Sequence, residues 1–346
     1  MSRGGKMVAG QDDRVVILLE QPDNMPFSAP RIQIVTRNFP PLLGGMERLL
    51  HHAYLELRKE FEVAIVGPSG CEPYLDRETP RLTCAVLPVS RFLLQCQWQA
   101  YKMACNVEPN LILAGSGLAA PAACFAGWKI GAPVACYLHG LDIVSRNPLY
   151  RKVFLPAIRS CAVLLVNSRN TERLASQAGI DPSRIHIVHP GVSLPTTSLG
   201  DKARSFRDRI GAGARPILLS VGRLTRRKGI VEFIREVMPL IVAELPEILL
   251  VVIGDEPHQA VDGVLGMRAL VDQAIRSRGL AKNLALLGRV DDETLSAAYA
   301  ASQLFVFPVV ECPGDVEGFG MVALEAAAHG LPTVAFAVGG VVDAVA

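Results

Sequence analysis

Two glutamates with a glycine turn between them are the clearest candidates for chemistry in this chain. Glu317 and Glu325 lie eight positions apart in the stretch EGFGMVALE. Glycine allows a ligand to approach the backbone closely. At the start of a helix, the amides of Gly318, Phe319 and Gly320 can hold hydroxyls or phosphate oxygens. Glu317 can accept hydrogen bonds from sugar hydroxyls, and Glu325, about one turn into the helix, can chelate the two hydroxyls of a ribose.

The same stretch also has a purely structural interpretation. Glu317 would then be a first-turn acid that complements the helix dipole, and Glu325 would be a solvated helix residue. The composition of the helix weighs against this, because MVALEAAAHG contains almost no other polar residue. A glutamate in so apolar a helix needs a partner for its carboxylate.

A second cluster of candidates is cationic and lies in SVGRLTRRKG. A predicted strand ends at Gly222, and Arg223 and Lys228 follow it in a loop before a helix. Two cations at this position can neutralise a diphosphate leaving group without a metal. Arg226 and Arg227 are interpreted as solvated or as lying at a domain surface. The alternative for all four cations is a plain basic turn.

Two further candidates lie in the first half of the chain. Gly44 and Gly45 precede an amphipathic helix, where their amides can approach a phosphate, although a plain tight turn explains them equally well. This turn is not a dinucleotide fingerprint, since G-x-G-x-x-G is absent there. His139, in YLHGLD, can donate to a sugar hydroxyl or polarise a leaving group, or it can be a packed histidine. Asp142 ends the same motif and is included among the substrate-binding candidates.

Strands and helices must bring these residues together, and the hydrophobic pattern predicts where those strands and helices lie. Short, almost wholly apolar runs alternate with helical patterns along the chain, which indicates parallel sheets covered by helices on both faces. Residues 46–57 carry apolar side chains at helical spacing. The predicted strands are RIQIVT, FEVAIVG, TCAVLPV, NLILAG, PVACYLHG, AVLLVNS, PILLSVGR, EILLVVIGD, LALLGRV, LFVFPVV and PTVAFAVGG. The candidate motifs follow strands, where open α/β sheets bind their ligands.

The alternation is interrupted once, which predicts two domains. Residues 196–213 are polar, charged and rich in glycine, as is typical of a linker. We therefore expect an N-terminal extension over 1–30, a first doubly wound domain over 31–195 and a second over 214–346.

Composition excludes several classes of protein. A net charge of +2 does not support nucleic-acid binding, which needs a clearly basic surface. The eight cysteines form no C-x-x-C pair, which indicates a reducing cytoplasm and no structural zinc. The first ten residues lack the apolar core of a signal peptide. Mean hydropathy is +0.30, but glycines and prolines interrupt the most apolar region, 111–143, so no membrane span is expected.

With these motifs in this order, the chain resembles the retaining glycosyltransferases of family 4, also called glycosyltransferase group 1. The resemblance covers residues 31–346. It implies the GT-B fold, in which two Rossmann-like domains face a cleft, the first for the acceptor and the second for the nucleotide sugar. The pieces that carry it are FPPLLGGMERL, YLHGLD, VNS, HPGVS, VGRLTRRKG, VVIGDEP and EGFGMVALE.

The resemblance also implies a role for each matching position. Arg223 and Lys228 would bind the diphosphate, and His139 would lie near the transferred sugar. Arg223, Lys228, His139 and Glu317 would be the catalytic residues. Glu325 would bind the ribose. The backbone of residues 317–320 would hold the sugar, the Gly44–Gly45 loop would contact the phosphates, and Asp142 would belong to the substrate-binding set.

The reaction implied is hexosyl transfer with retention and without a metal or other cofactor. The acceptor hydroxyl would attack the face of the sugar from which the diphosphate leaves. A retaining glycosidase differs, because it uses one carboxylate as nucleophile and a second as acid and base. The donor would be a UDP-sugar or a GDP-sugar, and the acceptor a glycan or a lipid-linked glycan, as in cell-envelope polysaccharide synthesis. A peripheral contact with the inner face of the membrane is compatible with such acceptors. The sequence does not indicate the oligomeric state.

Two alternatives stay open at this point. One is a sugar-nucleotide epimerase of GT-B type, which would turn over without an acceptor. The other follows from the end of the chain at Ala346, since family members usually continue after GGVVDAV. The resemblance therefore predicts an incomplete second domain, and an inactive nucleotide-binding remnant is the corresponding alternative.

Overall fold

The computed structural model describes residues 29–195, 199–256 and 266–345. The chain forms two compact units that divide between His189 and Pro190. Each unit contains one parallel β-sheet with helices packed against it. Across the described ranges, no helix is both long and apolar enough to cross a membrane. The apolar run RVVILLE lies outside the described residues.

The sheet of unit 1 has seven parallel strands in the order β3-β2-β1-β4-β5-β6-β7. These strands are buried on both faces, which explains why most of them are apolar throughout. Only the last was not predicted, because IHI is too short and too polar to stand out. The strands are β1 Arg31–Val35, β2 Glu62–Pro68, β3 Arg81–Cys84, β4 Leu111–Ala114, β5 Val134–Leu138, β6 Val163–Val166 and β7 Ile185–Ile187.

The helices of unit 1 cover both faces of this sheet, and each face has its own apolar core. One core includes Leu50 and Tyr54 of the first helix, which confirms the predicted amphipathic helix. The helices are α1 Gly45–Leu57, α2 Val89–Val107, α3 Ala120–Ile130, α4 Leu141–Val144, α5 Pro148–Ser160 and α6 Arg169–Gln177, with 3₁₀ turns at Glu72–Tyr74 and Pro182–Arg184. On the other face α3 packs between α2 and α5, so these three form one layer.

Unit 2 repeats the scheme with five parallel strands in the order β10-β9-β8-β11-β12. They are β8 Ile217–Val221, β9 Leu249–Ile253, β10 Leu284–Gly288, β11 Leu304–Phe307 and β12 Thr333–Ala335. The helices are α7 Gly200–Arg209, α8 Ile230–Glu232, α9 Met238–Glu244, α10 Met267–Ser277, α11 Asp292–Ala301, α12 Met321–Ala328 and α13 Val341–Ala344. A 3₁₀ turn covers Arg226–Lys228, and a π turn, Phe233–Val237, joins α8 to α9.

The segment predicted as a linker, 196–213, contains helix α7 where it is described. Its sequence is strongly polar, but Phe206 is buried in the core of unit 2 with Ala297 and Tyr299 of α11. Phe206 thus anchors a helix that polarity alone does not reveal, and the segment is part of unit 2.

The strand orders place the candidate motifs at equivalent points of the two sheets. In unit 1 the direction of strand addition reverses between the neighbouring strands β1 and β4. In unit 2 it reverses between β8 and β11. Ligands of open α/β sheets bind at such switch points, outside the carboxyl ends of the strands. Gly44 follows β1, Arg223 follows β8, and Glu317 follows β11.

Candidate functional site

A small pocket opens at the end of β8 in unit 2. Gly222, Arg223, Lys228 and Phe307 are among its lining residues. The side chain of Lys228 lies directly over Gly222, where a Cβ atom would come within 3.3 Å of its Cε. Its ammonium Nζ lies 4.7 Å from the centre of the Phe307 ring, a cation–π contact. The pocket therefore presents a cation held against an aromatic wall.

The charge of Lys228 is unusually shielded from water. Burial, together with the nearby guanidiniums of Arg227 and Arg223, lowers the pKa of Lys228 well below its usual range. The Asp315 carboxylate opposes this shift in pKa, and the Glu317 carboxylate, whose Oε2 lies 2.7 Å from Nζ, also favours the charged form. An anion bound in the pocket would act in the same direction as Glu317 and stabilise the ammonium form. Arg223, by contrast, is exposed at the mouth of the pocket.

Arg227 does not lie where the sequence suggested. Only 6% of it is exposed, so the expectation of a solvated or surface side chain is wrong. Its Nε donates to Asp315 Oδ1 at 2.9 Å, and its Nη1 forms an ion pair with Glu317. The interpretation failed because both partners come from the loop after β11, 88 and 90 residues further along the chain. Arg226 is exposed, as expected.

The loop that carries Glu317 is held by its backbone as well as by these ion pairs. The amide of Gly340 donates to the carbonyl of Glu317 at 2.9 Å. A Cβ atom on Gly340 would overlap the carbonyl oxygen of Gly318, so glycine is required by space there. Gly320 precedes α12 with φ +106°, a conformation that favours glycine. The expected junction of glycine turn and helix is therefore present, with Phe319 buried beside it.

Glu325 is buried, with 9% of its surface exposed, so the interpretation as a solvated helix residue is wrong. Its Oε2 accepts a hydrogen bond from the hydroxyl of Tyr299 on α11 at 3.0 Å. The ring of Tyr299 stacks on His329, with 5.0 Å between ring centres. His329 Nδ1 lies 2.7 Å from the carbonyl of Glu325 and must donate to it, which leaves Nε2 to accept from Ser296 at 2.8 Å in the neutral ring. The partner that the apolar helix required is thus Tyr299.

In unit 1 the ring of His139 is buried at the end of β5. Its Nε2 lies 2.9 Å from the carbonyl oxygen of Gly115. A carbonyl can only accept, so Nε2 carries the proton, and the neutral ring then presents Nδ1 as an acceptor. The packed-histidine interpretation therefore holds for one nitrogen. Donation to a sugar hydroxyl from Nε2 is incompatible with this geometry, whereas acceptance at Nδ1 is compatible with it.

The carboxylate of Asp142 organises the loops around His139. Oδ2 accepts from the His139 amide at 2.9 Å, and Oδ1 accepts from the Gly117 amide at 3.1 Å. The hydroxyl of Tyr150 lies 3.5 Å from Oδ1, and burial together with the Asp142 charge raises the pKa of that phenol. Both oxygens are thus engaged by the protein, so the contacts of Asp142 favour a positioning role over direct substrate binding.

The turn at Gly44 and Gly45 begins α1, but a carboxylate already occupies its surroundings. A Cβ atom on Gly44 would overlap Oε2 of Glu47, a buried residue in the first turn of the helix. The side-chain Nδ2 of Asn38 donates to Oε1 of Glu47 at 2.9 Å and fixes this arrangement. A phosphate at Gly44 would meet this negative charge, which weighs against the predicted phosphate contact.

Sequence reasoning misplaced Arg227 and missed three further residues that shape these sites: Asp315, Tyr299 and Glu47. For Tyr299 a signal existed, since it is the single aromatic residue in the small-residue helix DETLSAAYAA. For Asp315 and Arg227 the sequence carries no signal, because their pairing depends on the approach of two distant loops. Within the described part of the chain, no group of three His, Cys, Asp or Glu side chains could hold a metal ion.

Two family profiles match this chain, one for each unit. The profile described as Glycosyltransferase Family 4 matches residues 43–195, and that described as Glycosyl transferases group 1 matches residues 215–346. The chain belongs to this glycosyltransferase family. The resemblance inferred from its motifs is thereby confirmed.

Curated glycosyltransferases are similar to the chain over different lengths. A D-inositol 3-phosphate glycosyltransferase of Mycobacterium sp. (strain KMS) is 34% identical over 184 residues, 53% of this chain and 38% of that protein. The chain thus matches under half the length of this relative. A GDP-mannose-dependent α-(1-6)-phosphatidylinositol monomannoside mannosyltransferase of Mycolicibacterium smegmatis is 28% identical over 323 residues, 90% of this chain and 82% of that protein.

Solved structures confirm the GT-B fold of this family member. The Anabaena protein Alr3699/HepE in complex with UDP and glucose has a TM-score of 0.71 at 21% identity, covering 91% of this chain and 83% of its own. A glycosyltransferase from Rickettsia africae has a TM-score of 0.69 at 16% identity, covering 92% of this chain and 82% of its own. At these identities the likeness concerns the fold.

Proposed function

We propose that this protein transfers a hexosyl group from a nucleoside-diphosphate sugar to an acceptor hydroxyl, with retention and without a metal. The ammonium of Lys228, largely shielded from water beside the pocket at the end of β8, carries the proposal. Burying a cation is unfavourable unless it is paired. Lys228 shares its carboxylate partner, Glu317, with Arg227, so a bound diphosphate would supply further negative charge, and Arg223 at the pocket mouth would bind its second phosphate.

The remaining groups of unit 2 fit the other parts of such a donor. Glu317 is held by Arg227 and Lys228 and would accept hydrogen bonds from the sugar hydroxyls. Glu325 is oriented by Tyr299 and would bind the ribose. The diphosphate oxygens would accept the acceptor's proton, and the cations would stabilise the charge that develops on the leaving group.

In unit 1, His139 would accept a hydrogen bond from a sugar hydroxyl at Nδ1, in a position set by Asp142 and Gly115. The relatives' names support a nucleotide-sugar donor, since one is GDP-mannose-dependent and the Anabaena structure holds UDP and glucose. They differ in the base, so UDP-sugars and GDP-sugars are both candidate donors. The mycobacterial relatives support a phosphoinositol or other cell-envelope acceptor.

The decisive experiment is a transfer assay with UDP-glucose and GDP-mannose, with and without acceptor, in the presence of EDTA. We expect release of the nucleoside diphosphate that depends on acceptor, persists in EDTA and gives a product whose anomeric configuration matches the donor. Loss in EDTA with recovery on adding Mg²⁺ or Mn²⁺ would overturn the metal-free mechanism. Conversion of the donor alone to an epimer would show that the protein is an epimerase and not a transferase. Binding without turnover would favour an inactive nucleotide-binding protein.

A further inference from the structure

Both tryptophans of the chain are exposed on the helix layer of unit 1. Trp98 on α2 is 64% exposed, and Trp128 on α3 is 73% exposed. Two further rings connect them, with centre-to-centre distances of 6.3 Å for Trp98–Tyr101, 5.9 Å for Tyr101–Phe125 and 6.3 Å for Phe125–Trp128. A continuous aromatic row therefore crosses from one helix to the next at the surface.

The exposed side of α2 extends this row along the helix. Arg91, Leu94, Trp98 and Lys102 follow one another at intervals of three, four and four residues, which places them on one face. All four are exposed, and Leu94 has 76% of its surface accessible. The opposite face of α2 packs into the core of unit 1. Large apolar groups and cations thus share the outer face, which the fold itself does not use.

This surface is cationic, although the chain as a whole is nearly neutral. Residues 81–160 contain eight lysines and arginines but only two acids, Glu108 and Asp142. The carboxylate of Asp142 accepts hydrogen bonds inside the protein. Helices α2, α3 and α5 contain no acidic residue at all. The ammonium of Lys129 lies 4.5 Å from the ring centre of Trp128, so a cation accompanies the aromatic row.

A surface of this chemistry is suited to the boundary between lipid headgroups and water. Tryptophan is enriched at that depth because its ring is apolar and its N–H is polar. Lysine and arginine near an anionic surface are attracted to lipid phosphates, while their stems lie along apolar groups. A second copy of the chain is a poorer partner for this surface, because a twofold contact would bring the positive charges of the two copies together.

We propose that the outer face of α2 and α3 docks on an anionic lipid bilayer, with Trp98 and Trp128 at headgroup level and Lys102 and Lys129 against lipid phosphates. The proposal is independent of the transfer reaction, because docking needs neither donor nor acceptor.

The two tryptophans make the test direct, since they are the only ones in the chain and both lie in the proposed surface. The full chain is mixed with phosphatidylcholine vesicles that contain or lack phosphatidylglycerol, and tryptophan emission and co-sedimentation are measured. We expect a blue shift and co-sedimentation with the anionic vesicles only, both reversed by high salt. Each of the variants Trp98→Phe and Trp128→Phe should retain part of the shift.

Charge reversal provides the matched comparison. The variant with Lys102→Glu and Lys129→Glu should bind anionic vesicles at least about 30-fold more weakly, since each lysine near the surface contributes about 1 kcal/mol. Reversal of two exposed cations of unit 2, Arg276→Glu and Lys282→Glu, changes net charge equally and should weaken binding much less. Equal losses in the two variants, no binding to anionic vesicles at low salt, or a vesicle-independent dimer that buries the tryptophans would each overturn the proposal. Transfer activity does not enter these measurements.

Discussion

The hydroxyl of Tyr299 donates a hydrogen bond to the carboxylate of Glu325 across 3.0 Å, from one helix of unit 2 to another. The tyrosine ring stacks on His329, which in turn bonds the backbone carbonyl of Glu325. Both the side chain and the backbone of Glu325 are therefore positioned from α11 and from the end of α12. These contacts hold the carboxylate in a fixed orientation.

The first prediction concerns Glu325 and the ribose. Glu325→Gln keeps the shape but removes the charge, and it should weaken binding of a ribonucleoside diphosphate by about 1.5–3 kcal/mol. The 2′-deoxy ligand should already bind the unmutated protein more weakly, and the substitution should affect it less. Four dissociation constants at one salt concentration measure this coupling. Additive losses, with a coupling below about 0.5 kcal/mol, would remove Glu325 from the ribose site.

The second prediction tests whether Arg223 and Lys228 bind the diphosphate and the neighbouring Arg226 does not. Arg223→Ala and Lys228→Ala should each weaken binding of UDP or GDP by about 1.5–3 kcal/mol, because each removes a charge-assisted contact. Arg226→Ala is the control, since Arg226 is exposed in the same turn but does not line the pocket. Calorimetric titration measures the affinities. An equal loss at Arg226 and Arg223 would indicate a general basic patch in place of a specific site.

The third prediction concerns stability. Arg227→Met should lower the free energy of unfolding by about 1–3 kcal/mol, because it removes the partner of the half-exposed Asp315 and leaves Glu317 paired with Lys228 alone. Arg226→Met, on the exposed side of the same turn, should change it by less than about 0.5 kcal/mol. Denaturant unfolding of both variants measures the difference. A loss at Arg227 no larger than that at Arg226 would show that the ion pairs are not required by the fold.

The fourth prediction concerns pH. The folded pKa of Lys228 lies below its usual value, and binding of the diphosphate requires the charged form. Above the lowered pKa, binding must therefore take up a proton, and affinity should fall as pH rises from that pKa toward about 10.4, the ordinary value for lysine. Calorimetry in two buffers of different ionisation enthalpy measures the proton uptake. Lys228→Arg, whose charge does not titrate in this range, should abolish the uptake; persistence of uptake in that variant would assign it to another group.

The sheets of this protein were legible from its sequence because buried parallel strands are apolar on both faces. β8, with the sequence ILLSV, shows this pattern clearly, whereas the three-residue β7 does not. Helix α7 was missed because its polarity resembles that of a linker, although Phe206 is buried in the core.

The candidate site was predictable as far as it depends on spacing along the chain. Arg223, Lys228, Glu317 and Glu325 all follow strands that meet at a switch point, and strand ends can be read locally. The burial of Arg227 and the pairing of Tyr299 with Glu325 depend on side chains that approach from distant segments. A single sequence contains no information on which of several like residues faces inward.

The contact between Gly340 and the Glu317 loop has a consequence for protein engineering. No side chain fits at Gly340, and its amide already holds the carbonyl of Glu317, so the backbone at this point helps to set the route of the loop. A library designed to change sugar preference should therefore vary the side chains around the pocket and exclude Gly340, since any residue placed there would displace the loop before it altered selectivity.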